Sequence, residues 1–136
     1  MEVLVIDDDP VFGKMLSLHL TNDGHNVSVC EDGIQGQRMA RQLQPDVIII
    51  DYQMPAANGA VVAQRIASST ETQHIPMILL SGTPFETVPR TIEEAGISTI
   101  LYKVTLSQTE LADALAEAVK EDAESVGHEF LFRGGG

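Results

Sequence analysis

Short apolar runs recur along the chain, and each gives way at once to polar or turn-forming residues. They are Val3-Leu4-Val5-Ile6, Val27 to Cys30, Val47-Ile48-Ile49-Ile50, Met77-Ile78-Leu79-Leu80 and Ile97 to Tyr102. The unbroken runs, Val47 to Ile50 above all, suit strands buried on both faces, as in a parallel sheet, and Val27 to Cys30 reads as a shorter strand. Between them the apolar period changes to that of a helix. Phe12, Met15, Leu16 and His19 mark a first helix, and Ile34, Met39, Ala40 and Leu43 an inward stripe on a second. Val62 and Ile66 face the core on a third, and Leu111, Leu115 and Val119 on a last helix that reaches about Glu124.

The boundaries carry their own chemistry. Asp9 before Pro10 reads as a cap and first helical position, and Asn22-Asp23-Gly24 stops that helix. Asp32-Gly33 and Asn58-Gly59 open the next two, and Gln44-Pro45 closes the second. Ser107-Gln108-Thr109-Glu110 is a capping-box pattern. Pro89 fits a first helical turn, which predicts a short helix from Pro89 to Ala95 stopped by Gly96. Five strands alternating with five helices predict a doubly wound α/β sandwich in one domain, residues 1–124. The Gly-rich residues 125–136 read as a flexible tail or a cut linker.

Composition narrows the function. The formal net charge of −12 argues against nucleic-acid binding, which rests on Lys and Arg neutralising phosphates, and fits a module that meets proteins. No apolar run approaches the ~18 residues of a membrane span, and the start has no basic signal-peptide region. Cys30 is the single cysteine, so an internal disulfide is excluded and a reducing cytoplasm fits. His19, His25, His74 and His128 have no metal-ligand spacing and read as surface or structural.

Four strands end in a residue with chemical potential: Asp7 and Asp8 after the first, Asp51 after the third, Ser81 after the fourth and Lys103 after the fifth. All lie at carboxyl ends, the edge where open α/β sheets bind ligands. Taken alone, Asp51 could equally cap the following helix. If the first and third strands are neighbours, however, three carboxylates converge. At about 4 Å and an effective dielectric of about 20, each pair repels by roughly 4 kcal/mol before screening. Lys103 offsets one charge and a divalent cation the others. Hard oxygen ligands without Cys or His point to Mg²⁺ or Mn²⁺. A metal beside a carboxylate, a lysine and a hydroxyl suits phosphoryl chemistry, with a carboxylate as a possible nucleophile. No Gly-rich phosphate loop follows the first strand, which excludes a Walker NTPase or a dinucleotide reader.

As a set, the acid pair Asp7-Asp8, Asp51-Tyr52-Gln53-Met54-Pro55 with Asn58-Gly59 behind it, Ser81-Gly82 and Lys103 resembles the response-regulator receiver domain of bacterial two-component signal transduction. The resemblance covers about residues 2–122. It implies a flavodoxin-like three-layer sandwich with strand order 2-1-3-4-5. It further implies that Asp51 accepts a phosphoryl group from a sensor histidine kinase or a phosphotransfer protein. Asp8, Asp51 and the Gln53 backbone carbonyl would ligate Mg²⁺, with Asp7 holding it through water. Lys103 would pair with the acceptor and then with phosphate, Ser81 would hydrogen-bond the phosphate, and Gln53 and Thr83 would flank it. The outcome would be a shifted population of active domain that changes binding to a downstream protein, acts on an output domain, or forms a phosphorylation-linked homodimer. No enzymatic turnover of outside substrates is expected.

Two positions depart from the family. The usual Lys-Pro with its cis bond is Lys103-Val104 here. A non-proline cis bond costs about 2.5–4 kcal/mol, so a trans bond or a strained cis one is expected, with Lys103 open to displacement. The usual aromatic three residues before the lysine is Ile100, while Tyr102 lies two further on along the same side of the strand. Either an aliphatic switch at Ile100 operates, or coupling runs through Tyr102, or the coupling is weak. The alternatives are a pseudo-receiver that binds proteins without phosphorylation, and a phosphatase or phosphotransferase. Gln53 opposes the latter, because such enzymes carry an acid two residues after the nucleophile.

Overall fold

A computed structural model of the chain describes residues 1–54, 58–82 and 96–120. The expected helix from Pro89 to Ala95, Thr83, His128 and the tail at 125–136 lie outside them. Five strands form one parallel sheet: β1 (Glu2–Ile6), β2 (Asn26–Cys30), β3 (Val47–Asp51), β4 (Met77–Ser81) and β5 (Ile97–Tyr102). Their order is β2-β1-β3-β4-β5, as the resemblance implied. The helices are α1 (Pro10–Asn22), α2 (Gly33–Leu43) and α3 (Gly59–Ser68), with a last helix over residues 108–120.

The continuous apolar runs are explained by burial on both sides. Val47 and Ile49 pack with Leu16 and Leu20 of α1 and with Leu111 and Leu115 of the last helix. Ile48 and Ile50 pack on the opposite face with Ala40 of α2 and Val62 and Ile66 of α3. The result is three layers. Every residue of β3 and β4 is buried, whereas β2 at one edge is mostly half-exposed or exposed.

The caps follow the sequence. Asp9 accepts from the Val11 and Phe12 amides, Asp32 from Gln35, Asn58 from Ala60 and Ser107 from Glu110. Asp51 caps no helix among the described residues, because Asn58 fills that role for α3. His19 meets the Gln108 amide at 2.6 Å and His25 meets the amino terminus at 3.1 Å, both structural contacts.

Two helix faces differ from expectation. In α2, Ile34 is 77% exposed and Leu43 45% exposed, while Gly33, Gly36 and Ala40 are buried. The reason is closeness to the sheet: a Cβ on Gly36 would stand 2.5 Å from the Ile6 side chain. Small residues therefore form the inward face and the larger aliphatics turn outward. In α1 the inward face is Gly13, Leu16 and Leu20, and Met15 is exposed.

Along β5 the register with β4 shifts between Met77 and Ile78, whose partners are Ile97 and Thr99. This irregularity resets the side-chain alternation. Ile97 and Ile100, three apart, consequently pack on the same cluster of Tyr52, Ala60 and Leu79.

Candidate functional site

The sheet delivers its chemistry to one edge. Asp7 follows the last residue of β1, and its amide donates to the Cys30 carbonyl at 3.0 Å, which holds the strand ends together. Its side chain is fully buried, and Oδ1 accepts from the Asp9 amide at 2.9 Å. Asp51 ends β3 and is 4% exposed. Beyond it, the Tyr52 amide donates to the Leu80 carbonyl and the Gly59 amide to the Tyr52 carbonyl, each at 2.8 Å. These bonds bring the start of α3 against the Asp51 backbone so tightly that a Cβ on Gly59 would collide with the Asp51 carbonyl oxygen.

One oxygen each of Asp7, Asp8 and Asp51 gather within 4.8 Å of one another. Lys103 leaves β5 to join them, its Nζ 2.9 Å from Asp7 Oδ2 and 3.4 Å from Asp51 Oδ2. The described peptide bonds include no cis bond, so Lys103-Val104 is trans and the chain continues into a 3-10 turn, Lys103–Thr105. The lysine is nevertheless in place. It shares itself between two acids, nearer Asp7 than the expected acceptor. Asp7 Oδ2 is buried, and the Lys103 ammonium at 2.9 Å is its one polar contact among the described residues.

Crowding of like charge shows in the protonation equilibria. Burial, and then the Asp7 charge, push the Asp51 carboxyl up to about 7 against the opposing pull of Lys103. Burial alone would lower the Lys103 ammonium, but contact with Asp7 and the Asp51 charge outweigh it and raise its pKa.

The remaining positions fall around this centre. Asp8 is half-buried and borders a cleft with Tyr52, Gln53, Met54 and Asn58, which sets Gln53 beside the acids. Ser81 is buried at the end of β4, opposite Tyr102 in register. Ile100 is half-buried against Tyr52 and Leu79, and Tyr102 is also half-buried. Two participants are not singled out by the sequence pattern. The Phe12 ring lies 4.5 Å from Lys103 Nζ, although its spacing marks it only as a helix-face residue. Gly59 reads as a helix start, and its close approach to Asp51 has no local signal.

The sequence model of the response regulator receiver domain matches residues 3–116. The chain belongs to the response regulator receiver domain family. This receiver is 35% identical to protein PilH of Pseudomonas aeruginosa over 85 residues, 62% of this chain and 70% of PilH. It is 40% identical over 79 residues to the DNA-binding dual master transcriptional regulator RpaA of Synechocystis, covering 58% of this chain. It spans only 33% of the length of RpaA. Among solved structures, the receiver superposes on the receiver domain of sensor histidine kinase PA1611 from Pseudomonas aeruginosa PAO1, which has a magnesium ion coordinated in its active-site cleft. The TM-score is 0.79 at 25% identity, covering 88% of this chain and 97% of that one. The Vibrio cholerae chemotaxis protein CheY4 superposes with a TM-score of 0.78 at 25% identity, over 86% and 97% of the two chains. The family serves phosphorylation-dependent two-component signalling, and the acidic cluster of this receiver is compatible with Mg²⁺ and an aspartyl phosphate.

Proposed function

We propose that this receiver takes a phosphoryl group onto Asp51 from the phosphohistidine of a sensor histidine kinase or phosphotransfer protein. The observation that carries the reading is the meeting of Asp7, Asp8, Asp51 and Lys103 at one sheet edge, with Lys103 shared between two of the acids.

The acids fit a hard divalent cation: one oxygen from each of three carboxylates converges within 4.8 Å, and the single Lys103 ammonium offsets only part of their charge. Asp8, Asp51 and the Gln53 carbonyl would hold Mg²⁺, or Mn²⁺ in its place, with Asp7 acting through water. When bound, the ion neutralises negative charge on the acids and on the transferred group. An Asp51 oxygen forms the new bond to phosphorus as the phosphorus–nitrogen bond of the donor breaks, and the histidine nitrogen leaves with the bonding pair. Lys103 then exchanges its carboxylate contact for a phosphoryl oxygen, and Ser81 donates its hydroxyl to another. Thr83 and Gln53 flank the group and tune its loss to water. Ile100, packed on Tyr52 and Leu79, passes the change to the β5 face, with Tyr102 beside it. The altered face acts on a downstream protein, an output domain or a second copy of the chain. The setting is the cytoplasm, and residues 1–124 form the signalling unit.

Intact mass after treatment with acetyl phosphate and Mg²⁺ tests the reading. Wild type gains one phosphoryl group, and neither Asp51→Ala nor wild type in chelator does. A wild type that gains none under rapid quenching is a pseudo-receiver.

A further inference from the structure

We propose that Phe12 is a positioning residue for Lys103, its ring face holding the ammonium over the acid cluster through phosphoryl transfer. The inference rests on the phosphoacceptor reading above. Lys103 needs outside support here, because its peptide bond to Val104 is trans and Val104 is itself 66% exposed, so the residue after the lysine anchors nothing. The ammonium still stands within 3.4 Å of both Asp7 and Asp51. Its third neighbour is the Phe12 ring, 4.5 Å from Nζ, within the range of a cation–π contact.

The backbone that carries the ring is tied to the loop that carries the acids. The Asp9 side chain accepts from the Phe12 amide at 3.3 Å, and the Asp9 amide donates to Asp7 Oδ1 at 2.9 Å. Phe12 and Asp7 are therefore two ends of one short hydrogen-bonded segment. An ammonium attracted to the ring is held in the frame of the acids. During transfer from acetyl phosphate, an Asp51 oxygen bonds to phosphorus, the phosphorus–oxygen bond to the acetyl group breaks, and acetate leaves with the bonding pair. Lys103 must then trade a carboxylate for a phosphoryl oxygen. The ring attracts the charge over its whole face, so it holds the ammonium at that height through the exchange. Leucine at position 12 would still pack against the neighbouring core, but it offers no such face.

The test uses the full chain as wild type, Phe12→Leu, Phe12→Tyr, Lys103→Ala and the double variant Phe12→Leu/Lys103→Ala. Two quantities are read: the rate of labelling by acetyl phosphate across Mg²⁺ concentration, and the NMR shift of the Lys103 ε-methylene protons, which the ring current moves upfield. Phe12→Leu should lose the upfield shift and about tenfold in maximal rate, with the Mg²⁺ concentration for half-maximal rate unchanged. Phe12→Tyr should keep both within about twofold. In the Lys103→Ala background, Phe12→Leu should cost nothing further. The role is overturned if Phe12→Leu labels at the wild-type rate, if Phe12→Tyr fails equally, or if the leucine penalty persists without the lysine. Wild type that labels but shows no upfield shift refutes Phe12 alone. Wild type that shows the shift but takes no phosphoryl group refutes the phosphoacceptor reading, and the positioning role falls with it.

Discussion

At the scale of single residues, the acid cluster is a place where the fold holds charge against its preference. A carboxyl whose folded pKa lies above its unfolded value stabilises the fold while protonated. For Asp51, raised to about 7, that contribution is fully present below its ordinary value near 3.8 and is lost as pH rises through about 7. The corresponding cost to the ionised, metal-free protein is on the order of a few kcal/mol. Asp51→Asn should therefore melt higher than wild type at pH 8 in chelator, and the gap should close by pH 5. A gap of equal size at both pH values would contradict the assignment. Mg²⁺ should raise the wild-type melting temperature at pH 8 and leave that of Asp51→Asn nearly unmoved. The residue types of this cluster were legible in the sequence because strand ends announce themselves as an apolar run meeting a carboxylate or an ammonium. How Lys103 divides itself between Asp7 and Asp51 was not, since that depends on the path of the chain after Tyr102.

At the scale of elements, strands and caps were readable and helix faces less so. Each cap is a local bond between a side chain and an amide two or three residues on, so Asp9, Asp32, Asn58 and Ser107 could be recognised without tertiary information. The inward face of α2 could not. Periodicity favoured Ile34 and Leu43, but the closeness of the helix to Ile6 selects the glycines and Ala40. Two glycine substitutions separate backbone from side-chain crowding. In Gly59→Ala the new methyl meets the Asp51 carbonyl, which is backbone and cannot turn away. That substitution should cost about 1–3 kcal/mol in chemical unfolding and also slow Mg²⁺-dependent phosphoryl labelling. In Gly36→Ala the obstacle is the side chain of buried Ile6 rather than backbone, and it yields by repacking between α2 and β1. A smaller loss of stability with labelling intact is expected. Equal effects of the two on labelling would mean that the approach of α3 to β3 does not set the position of Asp51.

At the scale of the whole molecule, the sheet is protected from its centre outward. β3 and β4 are buried throughout, and β2 has one strand neighbour among the described residues and mostly half-exposed or exposed side chains. Native-state hydrogen exchange should find the β3 amides, Ile48 to Asp51, among the slowest, and those of β2 exchanging earlier by local opening. Uniform protection across the five strands would show instead that the sheet opens only as a unit. Strand order was supplied by family likeness and not by hydrophobic pattern, because each apolar run says that it is buried without saying beside which other run. The register shift on β5 has a further consequence. β5 forms one edge of the sheet, where an outward row of amides and carbonyls could template a strand from another molecule. The shift between Ile97 and Thr99 interrupts that row near its start. The irregularity that brings Ile97 and Ile100 to one side therefore also blunts the edge against sheet-to-sheet aggregation.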